Sequence, residues 1–293
     1  MTLEQLAIFI AVAEREHLTK GAASLSLTPS AASSAIKALE GQYGVLLFDR
    51  VGRGIELTRT GRAFLEAARR TMAEARGAEG LLSDLGHLRT GHLDIQASQT
   101  IANYWLPSRL MHFSASFPGI SLGFEVGNTT SVTQNVLSGR AELGFIEGWI
   151  DEPALSAMPV HTDELVIVVA ADNGRDGANI TPRGLADLGW IMREKGSGTR
   201  TEFETALVAL DIDPAALRVA LTLPTNEAVL SAVRTSTCAA AMSRLVVAPF
   251  LASGALVQLD IPLAARQFTI LRHKERRLSM AAHAMEQICR DIA

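Results

Sequence analysis

Hydroxyls, side-chain amides and one guanidinium gather after hydrophobic runs in the later part of the chain, and together they suit the binding of an anion. "SQT" at Ser98, Gln99 and Thr100 closes one such run; Asn128, Thr129 and Thr130 follow "SLGFEVG"; "EKGSGTRTEF" brings Ser197, Gly198, Thr199 and Arg200 to the opening of a helix. Free backbone amides at a helix start, with the positive end of the helix dipole, favour a carboxylate, sulfate or phosphate, and a guanidinium adds a bidentate fork. Arg200 has a second reading, since one position inside a helix it can turn outward and tie down a neighbouring carboxylate. "GSGT" is also an ordinary capped turn. The run lacks the lysine of a phosphate loop, and Thr201 stands where a dinucleotide fingerprint has its final glycine. No triad, metal set or nucleotide loop is visible, and seven histidines are scattered. Two cysteines, Cys238 and Cys289, have neither metal-ligand spacing nor a disulfide framework. They read as buried structural thiols, and nothing in the sequence asks for catalysis, a metal or a cofactor.

A second constellation lies in "LTPSAASSAIKALEGQYG", Leu27 to Gly44. Thr28 then Pro29 is a helix start: a hydroxyl to cap free amides, followed by a residue whose fixed φ suits the first turn. On a 3.6-residue period Ala32, Ile36, Leu39 and Tyr43 share a core stripe, and Ser30, Ser33, Ser34 and Lys37 occupy the opposite arc. Short hydroxyls and alanines, Ala31 among them, let a helix backbone approach a DNA major groove closely. The alternative is an ordinary amphipathic surface helix.

The elements around that arc decide between the two. Leu3, Leu6, Ile10 and Ala13 predict a first helix, and "HLTKGAASLSL" a short second one in which Ala22 and Ala23 permit close crossing. Two short helices joined by a tight turn form a helix-turn-helix. Downstream, "VLLFDRVGRGIELTRTG" reads as a β-hairpin wing with Arg50, Arg53 and Arg59 at its tip and base. Thr60 to about Leu88 is Ala-rich and free of proline; a helix of roughly 28 residues would run about 40 Å, more than a sixty-residue head can cover. The alternative is a helix packed along its own domain.

From residue 91 the pattern changes. Buried strands are predicted at His92 to Ser98, Ser121 to Gly127, Ala141 to Gly148, Glu164 to Asp172, Val219 to Leu223 and Cys238 to Ser243, with another near Leu263 to Leu271. Helices are predicted at Ile101 to Phe117, Val132 to Ser138, Thr199 to Leu210, Glu227 to Thr235 and Met280 to Ile292. Strands alternating with helices imply a parallel sheet and an α/β architecture, whose ligands sit at the carboxyl ends of strands.

The run from Leu6 to Phe64, with "SAASSAIKALE", "YGVLLFDR" and "ELTRTG" in register, resembles the winged helix-turn-helix of LysR-type transcriptional regulators, and "GSGTR" matches a motif of a subset of that family. Ser33 and Arg50 stand where the family keeps a serine and an arginine. Ser34 and Ala35 stand where many members have an arginine and a glutamine, so base contacts of those members do not transfer. The resemblance implies a winged helix-turn-helix at 1–59, a linker and dimerisation helix at 60–90, and an effector domain at 91–293. That domain would comprise two Rossmann-like lobes resembling a periplasmic binding protein, 91–162 with 267–293 and 163–266. Thr28, Ser30, Ala31, Ser33, Ser34, Lys37, Arg50, Arg53 and Arg59 are then expected at DNA. Ser98, Gln99, Thr100, Asn128, Thr129, Ser197, Gly198, Thr199, Arg200 and Asn226 are expected around a small anionic effector. The implied partners are double-stranded DNA, that effector, a second copy through the linker helix, a tetramer and RNA polymerase.

Bulk properties agree with this reading. The 293 residues and 48% hydrophobic content suffice for two domains with sizeable cores. The net charge of −4 is unevenly spread: residues 1 to 62 carry seven Lys or Arg against six Asp or Glu. Local fields govern phosphate binding more than net charge does. The opening amphipathic helix is no signal peptide, and no apolar run would span a bilayer, so a cytoplasmic protein is expected. An α/β enzyme or a solute-binding protein acting on a small anion is the alternative function. The first would need convergent catalytic groups, and the second a leader and no winged head.

Overall fold

The computed structural model describes residues 1–51, 54–85, 90–171 and 181–291. The chain divides into two compact units, Met1–Leu82 with Ser138–Arg140, and Ser83–Leu137 with Ala141–Ala293.

The first unit opens with α1 (Leu3–Ala13), started by a capping box in which Thr2 and Gln5 satisfy each other's backbone amides. Next come α2 (Leu18–Ser24) and α3 (Pro29–Tyr43), joined by a turn in which Ser26 takes φ 57°. The close approach of α1 and α2 rests on Gly21 and Ala22: a Cβ on Gly21 would lie 2.6 Å from the Val12 Cα, whereas Ala23 is exposed. Tyr43 is also exposed, because α3 ends there and Gly44 turns the chain at φ 66°. Strands β1 (Phe48–Val51) and β2 (Gly54–Leu57) pair antiparallel as the wing. Glu40 accepts hydrogen bonds from the amides of Leu47 and Phe48, fixing the entry to the hairpin. Helix α4 (Arg59–Leu85) follows, and Leu65 and Ala68 pack with Leu6, Phe9 and Leu39 in the head core. The start of the long helix thus belongs to the head; residues 86–88 of the expected helix lie outside those described.

The second unit holds β3 (Gly91–Ser98), α5 (Gln99–Tyr104), α6 (Pro107–Ser116), β4 (Ile120–Gly127), α7 (Thr129–Ser138), β5 (Leu143–Glu147) and β6 (Leu155–Asp163). It continues with β7 (Leu165–Ala170), β8 (Gly189–Arg193), α8 (Gly198–Ala209), β9 (Arg218–Leu223), α9 (Asn226–Arg234), β10 (Ala240–Ser243) and α10 (Arg244–Ala252). Strands β11 (Leu256–Gln258) and β12 (Arg266–His273) and helix α11 (Met280–Asp291) complete it. One expected helix is two, since Pro107 cannot continue α5 and instead starts α6.

The sheets are mixed, where strict alternation predicted parallel ones. In the lobe-one sheet, ordered β4-β3-β5-β12-β6, β3 runs parallel to β4 and β5 while β12 is antiparallel to β5 and β6. In lobe two, β7 pairs antiparallel with β10 and β11, and β8 parallel with β9. The antiparallel members arise because the chain crosses between lobes and returns. Strands β4 and β9 sit at sheet edges and are largely exposed, with Val126, Val219 and Leu221 facing outward, so these two are not the buried strands expected from their apolar content. Each lobe has its own core, around Leu93, Phe113, Phe145 and Met285 in one and around Trp190, Phe203 and Leu207 in the other.

Candidate functional site

In the head, Thr28 caps α3, its hydroxyl accepting from the Ala31 amide at 3.2 Å and meeting Ser30 Oγ at 3.0 Å. Ser30, Ala31, Ser34 and Lys37 are exposed on one side of the helix and Ser33 is half-buried among them, while Ala32, Ile36 and Leu39 face the core. Arg50 is exposed on β1, opposite Ile55, and Arg59 is exposed at the start of α4. Arg53 lies outside the described residues. The head therefore offers one helix face of small hydroxyls with two free-standing cation positions on the wing and at its base.

In the second unit the anion-binding candidates converge on the carboxyl ends of three parallel strands. Ser98 ends β3, paired with Gly127 at the end of β4, and Glu147 ends β5. From the facing lobe, Ser197 precedes α8 and Asn226 opens α9, so two helix N-termini point toward those strand ends. Thr100 is fully buried and accepts from Asn226 Nδ2 at 3.1 Å; Gln99 Oε1 accepts from the Asn226 backbone amide at 2.5 Å. Asn128 serves mainly as a cap, accepting from the Ser131 amide, and it also donates to Glu194 Oε1 at 3.3 Å.

Three buried polar atoms in this cleft have no hydrogen-bond partner: Ser98 Oγ, Thr129 Oγ1 and Arg266 Nη2. Arg266 is 2% exposed and commits its other nitrogens to Asp163 Oδ2 at 2.7 Å and Thr199 Oγ1 at 3.0 Å. Asp163 also accepts from Ser243 Oγ at 2.7 Å. Buried polar groups are hydrogen-bonded as a rule, so these three atoms are the cleft's donors and acceptors that no described protein group uses. A Cβ on Gly198 would stand 2.5 Å from Thr129 Oγ1 and 2.9 Å from Glu147 Oε2, so only glycine leaves this gap open.

Arg200 does not join the cluster. Its Nε donates to Glu204 Oε1 at 2.7 Å and its Nη1 to the Arg193 carbonyl, the outward i to i+4 arrangement that α8 offers any arginine before a glutamate. The buried guanidiniums at this cleft are instead Arg193, bonded to Asn226 Oδ1 at 2.6 Å and to Glu194, and Arg266. Neither stood out in the sequence: Arg193 ends a strand that the pattern missed, and Arg266 is placed by a pairing with Asp163 across more than a hundred residues.

Of the cysteines, Cys289 is buried in lobe one, and burial pushes its thiol up to about 12 with Arg109 pulling the other way. Cys238 is half-buried rather than fully so, lying beside Gly189. Among the described residues no group of His, Cys, Asp and Glu is arranged to hold a metal ion, and no helix is long and apolar enough to cross a membrane.

Residues 3–62 match the family described as bacterial regulatory helix-turn-helix protein, lysR family, and residues 86–293 match the LysR substrate binding domain. An uncharacterized HTH-type transcriptional regulator of Escherichia coli (strain K12), YeiE, is 33% identical over 291 residues, covering 99% of this chain and 97% of its own. Full-length CbnR, solved in complex with its target DNA, aligns over 100% of both chains with a TM-score of 0.70 at 20% identity, a likeness of fold. The regulatory domain of CcmR from Synechocystis PCC6803, solved with 2-PG, aligns over 69% of this chain and 97% of its own at 25% identity, with a TM-score of 0.63.

Proposed function

The chain belongs to the LysR family of bacterial helix-turn-helix regulators, and from that premise we propose that a small anion held between the two lobes of residues 91–293 modulates its grip on an operator. It is a transcriptional regulator that binds DNA through its N-terminal head and carries an effector-binding domain; it is not an enzyme. The anion reading is carried by one observation: Ser98 Oγ, Thr129 Oγ1 and Arg266 Nη2 are buried without partners where two helix N-termini converge. The solved complex of the CcmR domain with 2-PG supports it by likeness.

On this reading Ser98, Thr129, Ser197 and Arg266 touch the ligand, while Thr100, Gln99 and Asn226 hold the lobes together around it. The exposed face of α3 enters the major groove, with Arg50, Arg53 and Arg59 on phosphate or in the adjoining minor groove. The protein acts in the cytoplasm as a dimer through α4, with a tetramer and RNA polymerase as further partners. The ligand shifts operator affinity only through differential affinity for two arrangements of the assembly, so effector and DNA affinities are linked.

The test is a thermal-shift screen of the full chain against carboxylates, sulfonates, sugar phosphates and aromatic acids, followed by operator mobility shifts with the best binder. A binder should raise the unfolding midpoint by mass action and change operator affinity. A binder that is indifferent to Ser98→Ala and Thr129→Val combined would place the sensor site elsewhere.

A further inference from the structure

The cleft contains a group that a simple anion site does not call for. Glu147, at the carboxyl end of β5, is 4% exposed, and its carboxylate receives no hydrogen bond from the described residues. Its Oε2 borders the same gap beside Gly198 as the unpaired Thr129 hydroxyl. A second acid, Glu202 of α8, lies against Gly148 one residue further along the chain. Burial raises the Glu202 carboxyl above its ordinary range, Arg266 opposing and Glu147 adding to the rise. The cations here are already matched: Arg266 is paired with Asp163 and Arg193 with Glu194. Among the described residues, the guanidiniums of the cleft thus bring no unpaired full charge to set an anion against Glu147, leaving only the helix N-termini.

An ionised carboxylate only accepts hydrogen bonds, and an arginine only donates them. Leaving the Arg266 nitrogen buried and unpaired costs free energy, and bringing an anion with nothing to donate against the Glu147 carboxylate costs more. Both requirements are met by a ligand with an acceptor at one end and a donor close by. On the reading of the cleft given above, we infer that the effector is an oxyanion with its own hydrogen-bond donor, a monoprotonated oxyacid or a hydroxy acid. Its donor goes to Glu147, and its anionic oxygens face Arg266 Nη2, Ser98 Oγ and Thr129 Oγ1. Glu147 thus selects the ligand as much as the hydroxyls do, rejecting anions of the same shape that have no proton to offer.

The test is calorimetry on the full chain with two matched pairs: inorganic phosphate against sulfate at pH 7, and glycolate against methoxyacetate. In each pair only the first member carries a donor. The expected result is about a tenfold or greater preference for the donor-bearing member of at least one pair, the size of one hydrogen bond to a charged group. The pair that shows it assigns the ligand to oxyacid or hydroxy acid. Glu147→Gln, whose amide donates, should reduce or reverse that preference. Thr129→Val should weaken both members together and leave their ratio unchanged. Equal binding of both members in the wild type, or a preference that Glu147→Gln leaves intact, overturns the donor inference while sparing the anion site. Binding of none of the four probes overturns the donor inference, and if no anion of the thermal-shift screen binds either, the anion site itself falls. The wild-type ratio needs no variant to fold.

Discussion

Asn226 of lobe two donates from Nδ2 to Thr100 Oγ1 of lobe one at 3.1 Å, while its Oδ1 accepts from Arg193 Nη1 at 2.6 Å. Both amide atoms of this 2% exposed side chain are committed, and its backbone amide goes to Gln99. The hydroxyl of Thr100 is thus used across the cleft, between lobes, rather than held open for a ligand.

Thr100→Val should therefore act on the lobes before it acts on the ligand. It keeps the volume and strips the acceptor, leaving a buried amide half-satisfied at a cost of about 1 to 3 kcal/mol. Urea unfolding of the full chain should show that loss, and Thr100→Ser should recover most of it. An unchanged midpoint in the valine variant would mean that the interlobe bond contributes nothing.

The Asp163–Arg266 pair is buried on both sides, with side chains 1% and 0% exposed. Removing one partner of such a pair typically costs about 3 to 5 kcal/mol, because the other charge is left uncompensated. Arg266→Met alone should be severely destabilising, and Arg266→Met with Asp163→Asn less so than the sum of the two single changes. Additive effects in the double-mutant cycle would contradict the coupling.

Gly198→Ala probes the gap directly. The added methyl must displace Thr129 Oγ1 or Glu147, while alanine is a better helix residue than glycine for the first turn of α8. Helical content by circular dichroism should stay near wild type, and binding of the best anion in the screen should fall by about tenfold or more. Undiminished binding would move the ligand away from α8.

In the head, Arg50→Ala should weaken binding to all DNA sequences alike and flatten the log-salt slope by about one unit, the signature of one lost phosphate contact. Ser33→Glu should abolish operator binding without loss of helix, since it sets a carboxylate against the phosphates from the middle of α3. Operator affinity retained in Ser33→Glu would place recognition on another surface.

Glu202 gives a pH dependence whose sign follows from its surroundings. Burial first, then Glu147, raise its carboxyl above the ordinary 4.5 against the pull of Arg266. The folded chain keeps a proton that the unfolded chain has already lost, so this contribution is present at low pH and is lost as pH rises from about 4.5 through the folded value. Glu202→Gln should gain on the wild type across that interval in urea titrations at stepped pH. A constant difference from pH 4 to 7 would show that the carboxyl titrates alike in both states.

What could be read from the sequence was what local chemistry decides. Thr28 and Pro29 announce α3 because a cap and a fixed φ act within four residues, and Ser98, Thr129 and Ser197 stand out because hydroxyls after apolar runs end strands or start helices. The outward turn of Arg200 was equally legible, since Glu204 lies four residues on. Arg266 and Glu147 were not, because their roles arise from partners far along the chain: Asp163 and Thr199 for the first, Gly198 and Thr129 for the second. The exposure of β4 and β9 escaped for a related reason, as an edge and a central strand share one apolar pattern and differ only in what lies beside them.

The Asp163–Arg266 pair sits where β6 and β12 lie side by side, Arg266 opposite Asp163 in the register, at the two points where the chain passes from one lobe to the other. Two adjacent crossings joined by one buried ion pair tie the lobes at that edge, as Asn226 ties them at Thr100 and Asn128 at Glu194. The same guanidinium donates to Thr199 at the start of α8, so the interlobe crossing and the candidate cleft share a single side chain. A molecule that pulls on that guanidinium from the cleft therefore also pulls on the crossing between the lobes.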